Sequence, residues 1–151
     1  MKDRLSKAQR SWNMSRIQGK NTGPEIFVRS LLHRMGYRFR LHVKALPGKP
    51  DIVLPGYRAV VFVHGCFWHR HRGCRNCTVP TNRRKFWIKK LETNAVRDSR
   101  NEAALRRAGW RVIVVWECEV EKRERIAQRL ARLLGEGRAR EAEGKAVAFL
   151  F

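Results

Sequence analysis

An apolar strand that runs straight into a cluster of metal-binding side chains constrains this chain more than any other feature. Val60-Val61-Phe62-Val63 could lie inside a sheet. The stretch that follows, HGCFWHRHRGCRNC, holds Cys66, Cys74 and Cys77, the histidines His64, His69 and His71, and the adjacent rings Phe67 and Trp68. Cys74-x-x-Cys77 lets one turn aim two thiolates at a tetrahedral ion, and His71 offers an imidazole beside it. Cys118 follows a second apolar segment, WRVIVVWE, and reaches the same sheet edge if that segment lies beside residues 58 to 63. Cys66, His71, Cys74, Cys77 and Cys118 then compete for four places, so at least one of them is idle. Protein can fill every position, which points to a structural zinc that pins a loop with little order of its own.

Charge narrows the partner. Lys and Arg number 34 against 13 Asp and Glu, a formal net charge of +21, and the basic residues run along the whole chain rather than forming a detachable tail. Such a surface attracts a polyanion, and nucleic acid is the natural one. No long amphipathic basic helix suggests a membrane surface, and no apolar run approaches the roughly 18 residues needed to span one. The opening MKDRLSKAQR lacks the apolar core of a secretory signal. A cytoplasmic placement follows, in which thiols stay reduced and ligate metals rather than form disulfides.

At 151 residues the chain is long enough for one domain with a real core. A helix is predicted from Pro24 to Gly36, with Phe27, Leu31 and Met35 in a stripe and Val28 and Leu32 beside it. Tyr37, Phe39, Leu41 and Val43 alternate with polar residues, the period of a half-buried strand. After the turn LPGKPD come short strands at 51–54 and 58–63, separated by PGY. Residues 82–108 read as a long basic helix with Phe86, Leu91, Val96 and Leu105 among its apolar positions, and Gly109 ends it. WRVIVVWE is apolar enough for a central strand covered on both faces. A last helix is predicted over Val120–Leu134, closed by Gly135. The order αβββαβα describes an α/β fold, a mixed central sheet flanked by helices.

Asp51 stands out because it opens a strand in a chain poor in acids. In a hairpin it lies next to Val63 and His64 at the end of the neighbouring strand. A carboxylate, a backbone carbonyl and phosphate oxygens make an oxygen-rich site suited to magnesium. Glu25 can add a carboxylate through water, and His64 and His69 can serve a phosphodiester as charge stabiliser and proton shuttle. A zinc deaminase is excluded, since no H-x-E occurs and Gly73 precedes Cys74 where that chemistry needs proline.

The stretches PGKPDIVL, VHGCFWHRH, NRRKFWIKKLETNAVRD and LRRAGWRVIVVWECE resemble the very-short-patch repair (Vsr) family of T:G mismatch endonucleases. The resemblance covers roughly residues 10 to 120, and the HGCFWH and GWRVxxVWEC blocks are its most specific parts. It implies a variant of the PD-(D/E)xK nuclease fold in which F-x-H, here Phe62-Val63-His64, replaces E-x-K. It further implies that Asp51 and the Val63 carbonyl bind magnesium, that His69 acts as or beside the general base, that His64 contacts the scissile phosphate, and that Glu25 orders water at the metal. By the same resemblance the zinc ligands are Cys66, His71, Cys118 and either Cys74 or Cys77; Cys74 is preferred as the nearer to His71. Phe67, Trp68 and Trp87 match a wedge that enters the DNA stack, Met14 and Ile17 match residues that reach in from the minor groove, and Lys90 and Asn94 match those that touch the mismatched pair.

The implied organisation is an N-terminal DNA-contacting segment (1–23), a nuclease domain (24–135) with its zinc loop at 64–80, and a charged tail (136–151). The implied substrate is double-stranded DNA carrying a T:G mismatch, nicked 5′ of the thymine by a monomer, with a DNA cytosine methyltransferase and mismatch-repair proteins as functional partners. The rival reading is a non-catalytic zinc module that binds nucleic acid. Asp51 and Glu25 speak against it, because a binding module has no use for carboxylates facing phosphates.

Overall fold

The computed structural model describes residues 6–15 and 21–144, with side chains described at 6–9, 11, 12 and 21–135. Four α-helices, α1 (Lys7–Ser15), α2 (Gly23–Arg34), α3 (Arg84–Arg107) and α4 (Arg123–Gly144), accompany four strands, β1 (Arg40–Leu41), β2 (Ile52–Leu54), β3 (Ala59–His64) and β4 (Arg111–Trp116). The strands form one mixed sheet in the order β1-β2-β3-β4, with β3 and β4 parallel and the other pairs antiparallel. Among the described residues, no helix is long and apolar enough to cross a membrane.

Local chemistry sets where α2 begins and ends. The Thr22 hydroxyl accepts from the Glu25 N–H, Pro24 occupies the first turn, and Glu25 lies where the helix dipole favours an anion. Gly36, at φ +88, turns the chain out of the helix. The buried face of α2 is centred on Val28 and Leu32, while Phe27, Leu31 and Met35 are only partly buried at its margin.

β3 is the central strand, with all six residues buried. Val61 and Val63 face a core shared with α2 and α4; Val60 and Phe62 face a smaller one capped by Leu105 of α3. β4, predicted to be central, pairs only with β3 among the described residues. Its apolar run has another cause. Ile113 and Val115 enter the first core while Val112 and Val114 pack against the second, so both faces are covered although the strand lies at an edge.

Two further predictions are corrected, and the apolar positions of α3 divide by burial. The strand expected over Tyr37–Val43 shrinks to Arg40–Leu41, because Tyr37 N–H still bonds back to Leu32 in α2 and His42 adopts a left-handed φ of +50. Phe86 and Val96 on α3 are exposed, leaving Leu91 and Leu105 as its fully buried side chains. Finally, α4 continues through Gly135 to Gly144. A glycine weakens a helix by only about 1 kcal/mol relative to alanine, and Ile126, Leu130 and Leu134, four residues apart and buried, anchor the turns before it.

Candidate active site

The β2–β3 hairpin positions the first functional group. Ile52 pairs with Val61, and Asp51, just before β2, accepts a 2.8 Å hydrogen bond from the Val63 N–H at its Oδ2. Asp51 therefore meets β3 where the sequence put it, through an amide of Val63. Burial pushes its carboxyl up from 3.8 to about 6; the Val63 N–H opposes this and the nearby Glu25 charge adds to it.

Glu25 is buried in the first turn of α2. Its Oε2 accepts from Asn21 N–H at 3.0 Å and from Arg29 Nη2 at 3.1 Å. The same Arg29 Nη2 lies 2.9 Å from His42 Nε2. A guanidinium can only donate, so His42 Nε2 turns its lone pair to Arg29, and its 3.8 Å approach to Glu25 is no ion pair through that nitrogen. Ligand atoms of Glu25, His42 and Asp51 all lie within 4.8 Å of one another.

A second cluster forms where β3 leaves the sheet. His64 ends β3, and its ring stacks on that of His69 with centroids 3.8 Å apart and planes 3° from parallel. His69 Nδ1 lies 2.6 Å from Asp98 Oδ2 on α3. This bond orients the imidazole and leaves Nε2 for proton transfer. Burial lowers His64 from 6.5 to about 4, helped by His69. Burial alone would raise Asp98, but the His69 hydrogen bond and the surrounding positive charge together hold it below the ordinary carboxylate range. Both clusters line one cleft of about 1150 Å³, whose rim also carries Lys44, Lys49 and Arg97.

The Cys/His loop forms a third group. Ligand atoms of Cys66, His71, Cys74 and Cys118 lie within 4.8 Å of one another, and Cys77 is not among them. Loop hydrogen bonds shape it: His71 N–H bonds to Cys66 O at 2.9 Å and Cys74 N–H to His71 O at 3.2 Å, with Gly73 at φ +75. The parallel pairing of His64 with Trp116 brings Cys118 alongside, and the His71 ring stacks on Trp116 at 4.1 Å. Burial pushes the Cys66 thiol up to about 12, so without a cation it stays protonated. Three sulfurs and one imidazole suit zinc, whose charge would stabilise the thiolates.

Phe67, Trp68 and Trp87 meet edge-on, with centroids 5.1 to 6.0 Å apart, and all three are half-buried. Asn94 on α3 donates from Nδ2 to the Trp68 carbonyl at 3.1 Å, and exposed Lys90 lies near the Phe86 ring. Met14 lies in α1, with its side chain outside the described residues, and Ile17 is outside them altogether. Sequence reasoning missed Asp98 and His42. Asp98 was detectable as the i+4 neighbour of Asn94, on the helix face that meets the loop. His42 reads as an ordinary polar position of an alternating strand, and nothing in the sequence distinguishes it.

The family model for DNA mismatch endonuclease Vsr matches residues 2–76. The chain is 54% identical over 134 residues to the type II nicking enzyme V.XorIIP of Xanthomonas oryzae pv. oryzae, covering 89% of this chain and 98% of the relative. Identity is 43% over 136 residues to the type II nicking enzyme V.NmeAIP of Neisseria meningitidis, covering 90% of this chain and 96% of the relative. The DNA mismatch endonuclease Vsr of Escherichia coli K12 is 40% identical across an alignment of 156 positions, covering 99% of both chains.

Asp51 and His64 titrate in opposition. The native Asp51 carboxyl holds its proton more tightly than an unfolded one, so between pH 3.8 and about 6 its burial costs more stability as pH rises. Native His64 holds its proton less tightly, so between about 4 and 6.5 stability rises with pH. The two slopes offset each other across their common interval. In magnesium-free buffer, Asp51→Asn should therefore gain stability from pH 4 to 6 relative to the parent, and His64→Gln should lose it. Denaturant melts at several pH values measure both slopes; slopes of the same sign would contradict the assignment.

Proposed function

Because the chain belongs to the DNA mismatch endonuclease Vsr family, we propose that it nicks double-stranded DNA 5′ of the thymine in T:G mismatches, in a magnesium-dependent reaction that opens repair of deaminated 5-methylcytosine. The observation that carries this reading is one cleft lined by both the Glu25/Asp51 carboxylates and the His64/His69/Asp98 cluster, with Trp68 at its edge. A module that only binds DNA would have no need of either cluster. The Phe62-Val63-His64 end of β3 and the Asp51 end of β2 fit the F-x-H variant of the PD-(D/E)xK nuclease fold.

Asp51 and the Val63 carbonyl would hold a magnesium ion, which would supply charge neutralisation at the scissile phosphate. Glu25 orders water beside it. His69, oriented by Asp98, takes a proton from the attacking water through Nε2. His64 is largely neutral near pH 7, so it meets the phosphate as a hydrogen-bond donor rather than as a cation. This modifies the charge-stabilising role expected from sequence. Lys44, Lys49 and Arg97 supply positive charge around the cleft.

Phe67, Trp68 and Trp87 act as the wedge beside the mismatch. Their edge-on packing presents a stiff aromatic surface, and a mispaired step unstacks at lower cost than a matched one. Met14 and Ile17, in the N-terminal segment 1–23, reach the minor groove, while Lys90 and Asn94 contact the mismatched pair. Cys66, His71, Cys74 and Cys118 would hold a zinc ion that pins the loop 64–80 carrying the wedge, within a nuclease domain spanning 24–135 and followed by the charged tail 136–151. The protein acts as a cytoplasmic monomer, downstream of a DNA cytosine methyltransferase and together with mismatch-repair proteins. The relatives' description as nicking enzymes supports cleavage of one strand.

Strand-resolved cleavage of labelled T:G and C:G duplexes, with and without magnesium, tests the reading. Nicks should appear 5′ of the mismatched thymine only with the ion present. Trp68→Ala should erode the T:G preference by roughly 1–3 kcal/mol, the value of stacking one base. Equal cleavage of both duplexes by the parent protein, or nicking in chelator, would contradict it.

Metal analysis should find about one zinc per chain, as a single four-ligand site requires. Cys74→Ala should lose the zinc and lower the melting temperature, and Cys77→Ala should keep both. The reverse outcome would move the fourth ligand to Cys77.

A further inference from the structure

We propose that Cys77 makes the Cys/His group an oxidation site: a peroxide closes a disulfide between Cys74 and Cys77, which withdraws Cys74 from the zinc and frees the ion. The inference rests on the zinc reading of Cys66, His71, Cys74 and Cys118, and adds to it the thiol which that reading leaves idle.

Cys77 lies against a ligand without being one. Ligand atoms of Cys66, His71, Cys74 and Cys118 gather within 4.8 Å of one another, so a tetrahedral set is complete without it. Yet the Cys77 N–H donates to the Cys74 carbonyl at 3.1 Å, closing a turn over Cys74-Arg75-Asn76-Cys77. Such a turn holds its end Cα atoms within about 7 Å, close to the widest span that a disulfide bridges. The amides of Asn76 and Cys77 also face the Cys74 sulfur. That sulfur therefore already meets the backbone of Cys77, and rotation about the Cys77 Cα–Cβ bond carries the second thiol toward it. Accessibility favours the same pair. Cys74 and Cys77 are partly exposed beside the exposed Arg75 and Asn76, while Cys66 is fully buried. Cys118 is partly exposed too, but the His71 Nδ1 stands against its sulfur at 3.5 Å.

The step balances with the peroxide as its oxidant. The Cys77 sulfur attacks one peroxide oxygen: an S–O bond forms, the O–O bond breaks, and the departing hydroxide takes the thiol proton to become water. The Cys74 thiolate then attacks the Cys77 sulfur: the S–S bond forms, the S–O bond breaks, and the second hydroxide is protonated by solvent. The two sulfurs together give up two electrons, and the peroxide ends as two waters. Only a thiolate ligates zinc, so the oxidised Cys74 leaves Cys66, His71 and Cys118 as an incomplete set. The loop carrying Phe67 and Trp68 loses its pin. A dithiol reductant reverses the change by thiol–disulfide exchange.

The test exposes the zinc-loaded full chain briefly to hydrogen peroxide and reads released zinc with a chromophoric chelator. Remaining thiols are then alkylated and the chain is cut with trypsin. Cleavage at Arg72, Arg75 and Arg83 leaves Cys74 on peptide 73–75 and Cys77 on peptide 76–83, so a Cys74–Cys77 bridge appears as these two peptides joined. The parent should lose most of its zinc and show the joined pair, and dithiothreitol with added zinc should restore the metal. Cys77→Ser should start with the parent's zinc content and keep it through the same exposure. The inference is overturned if the parent keeps its zinc, if Cys77→Ser loses zinc as fast as the parent or binds none at the start, or if the bridge joins Cys74 to Cys66 or Cys118. A parent chain that binds no zinc before oxidation overturns the zinc reading itself. One that binds zinc and forms no Cys74–Cys77 bridge overturns this inference alone.

Discussion

The hydrogen bond from the Val63 amide to the Asp51 carboxylate, 2.8 Å long, is the interaction on which the site depends. It extends the β2–β3 pairing one step beyond the ladder and fixes an acid against the end of a strand that is buried along its whole length. From that end the chain can proceed only into the loop, so His64 and His69 follow within six residues of Val63. The parallel neighbour β4 stops level with His64, which brings Cys118 to the Cys/His group. Helix α3 crosses the same edge and contributes Asp98 to His69. One strand end thus organises three side-chain clusters, and the covered faces of β3 keep it from shifting register, because a one-residue slip would turn its buried valines to the wrong core.

Charge distribution gives the cleft its logic. Of the 13 acids in a chain with a formal charge of +21, five (Glu25, Asp51, Asp98, Glu102 and Glu117) line the cleft. The basic exterior draws in a polyanion, while the concentration of carboxylates inside repels its phosphates unless a cation intervenes. Attraction and chemistry are therefore separated in space. Under the proposed function, binding uses the surface, and cleavage uses the cleft with an ion in it.

Much of this was legible from residues alone. The hairpin strands β2 and β3, the helix-ending glycines at 36 and 109, and the start of α2 at Pro24 are local signals, and each appears within a residue or two of its predicted place. Choosing Cys74 over Cys77 by nearness to His71 also agrees with the cluster observed. What failed was non-local. An apolar run cannot reveal whether a strand is central or an edge covered on both faces, which is why β4, expected to be central, lies at an edge of the described sheet. His42 and Asp98 lack a motif because their function depends on partners 17 and 29 residues away in the chain, Glu25 and His69, and only the fold brings those pairs together.

The central claim is that the Asp51 side and the His69 side of the cleft act on the same phosphodiester in one step. Single-turnover nicking of a T:G duplex by Asp51→Asn, His69→Gln and the double variant measures this directly, because residues that act as a unit are strongly non-additive. Each single variant should slow nicking by about a hundredfold or more, on the scale of a lost acid–base group. The double variant should then be no slower than the slower single. If the two losses multiply in full, the clusters work independently and do not form one catalytic site.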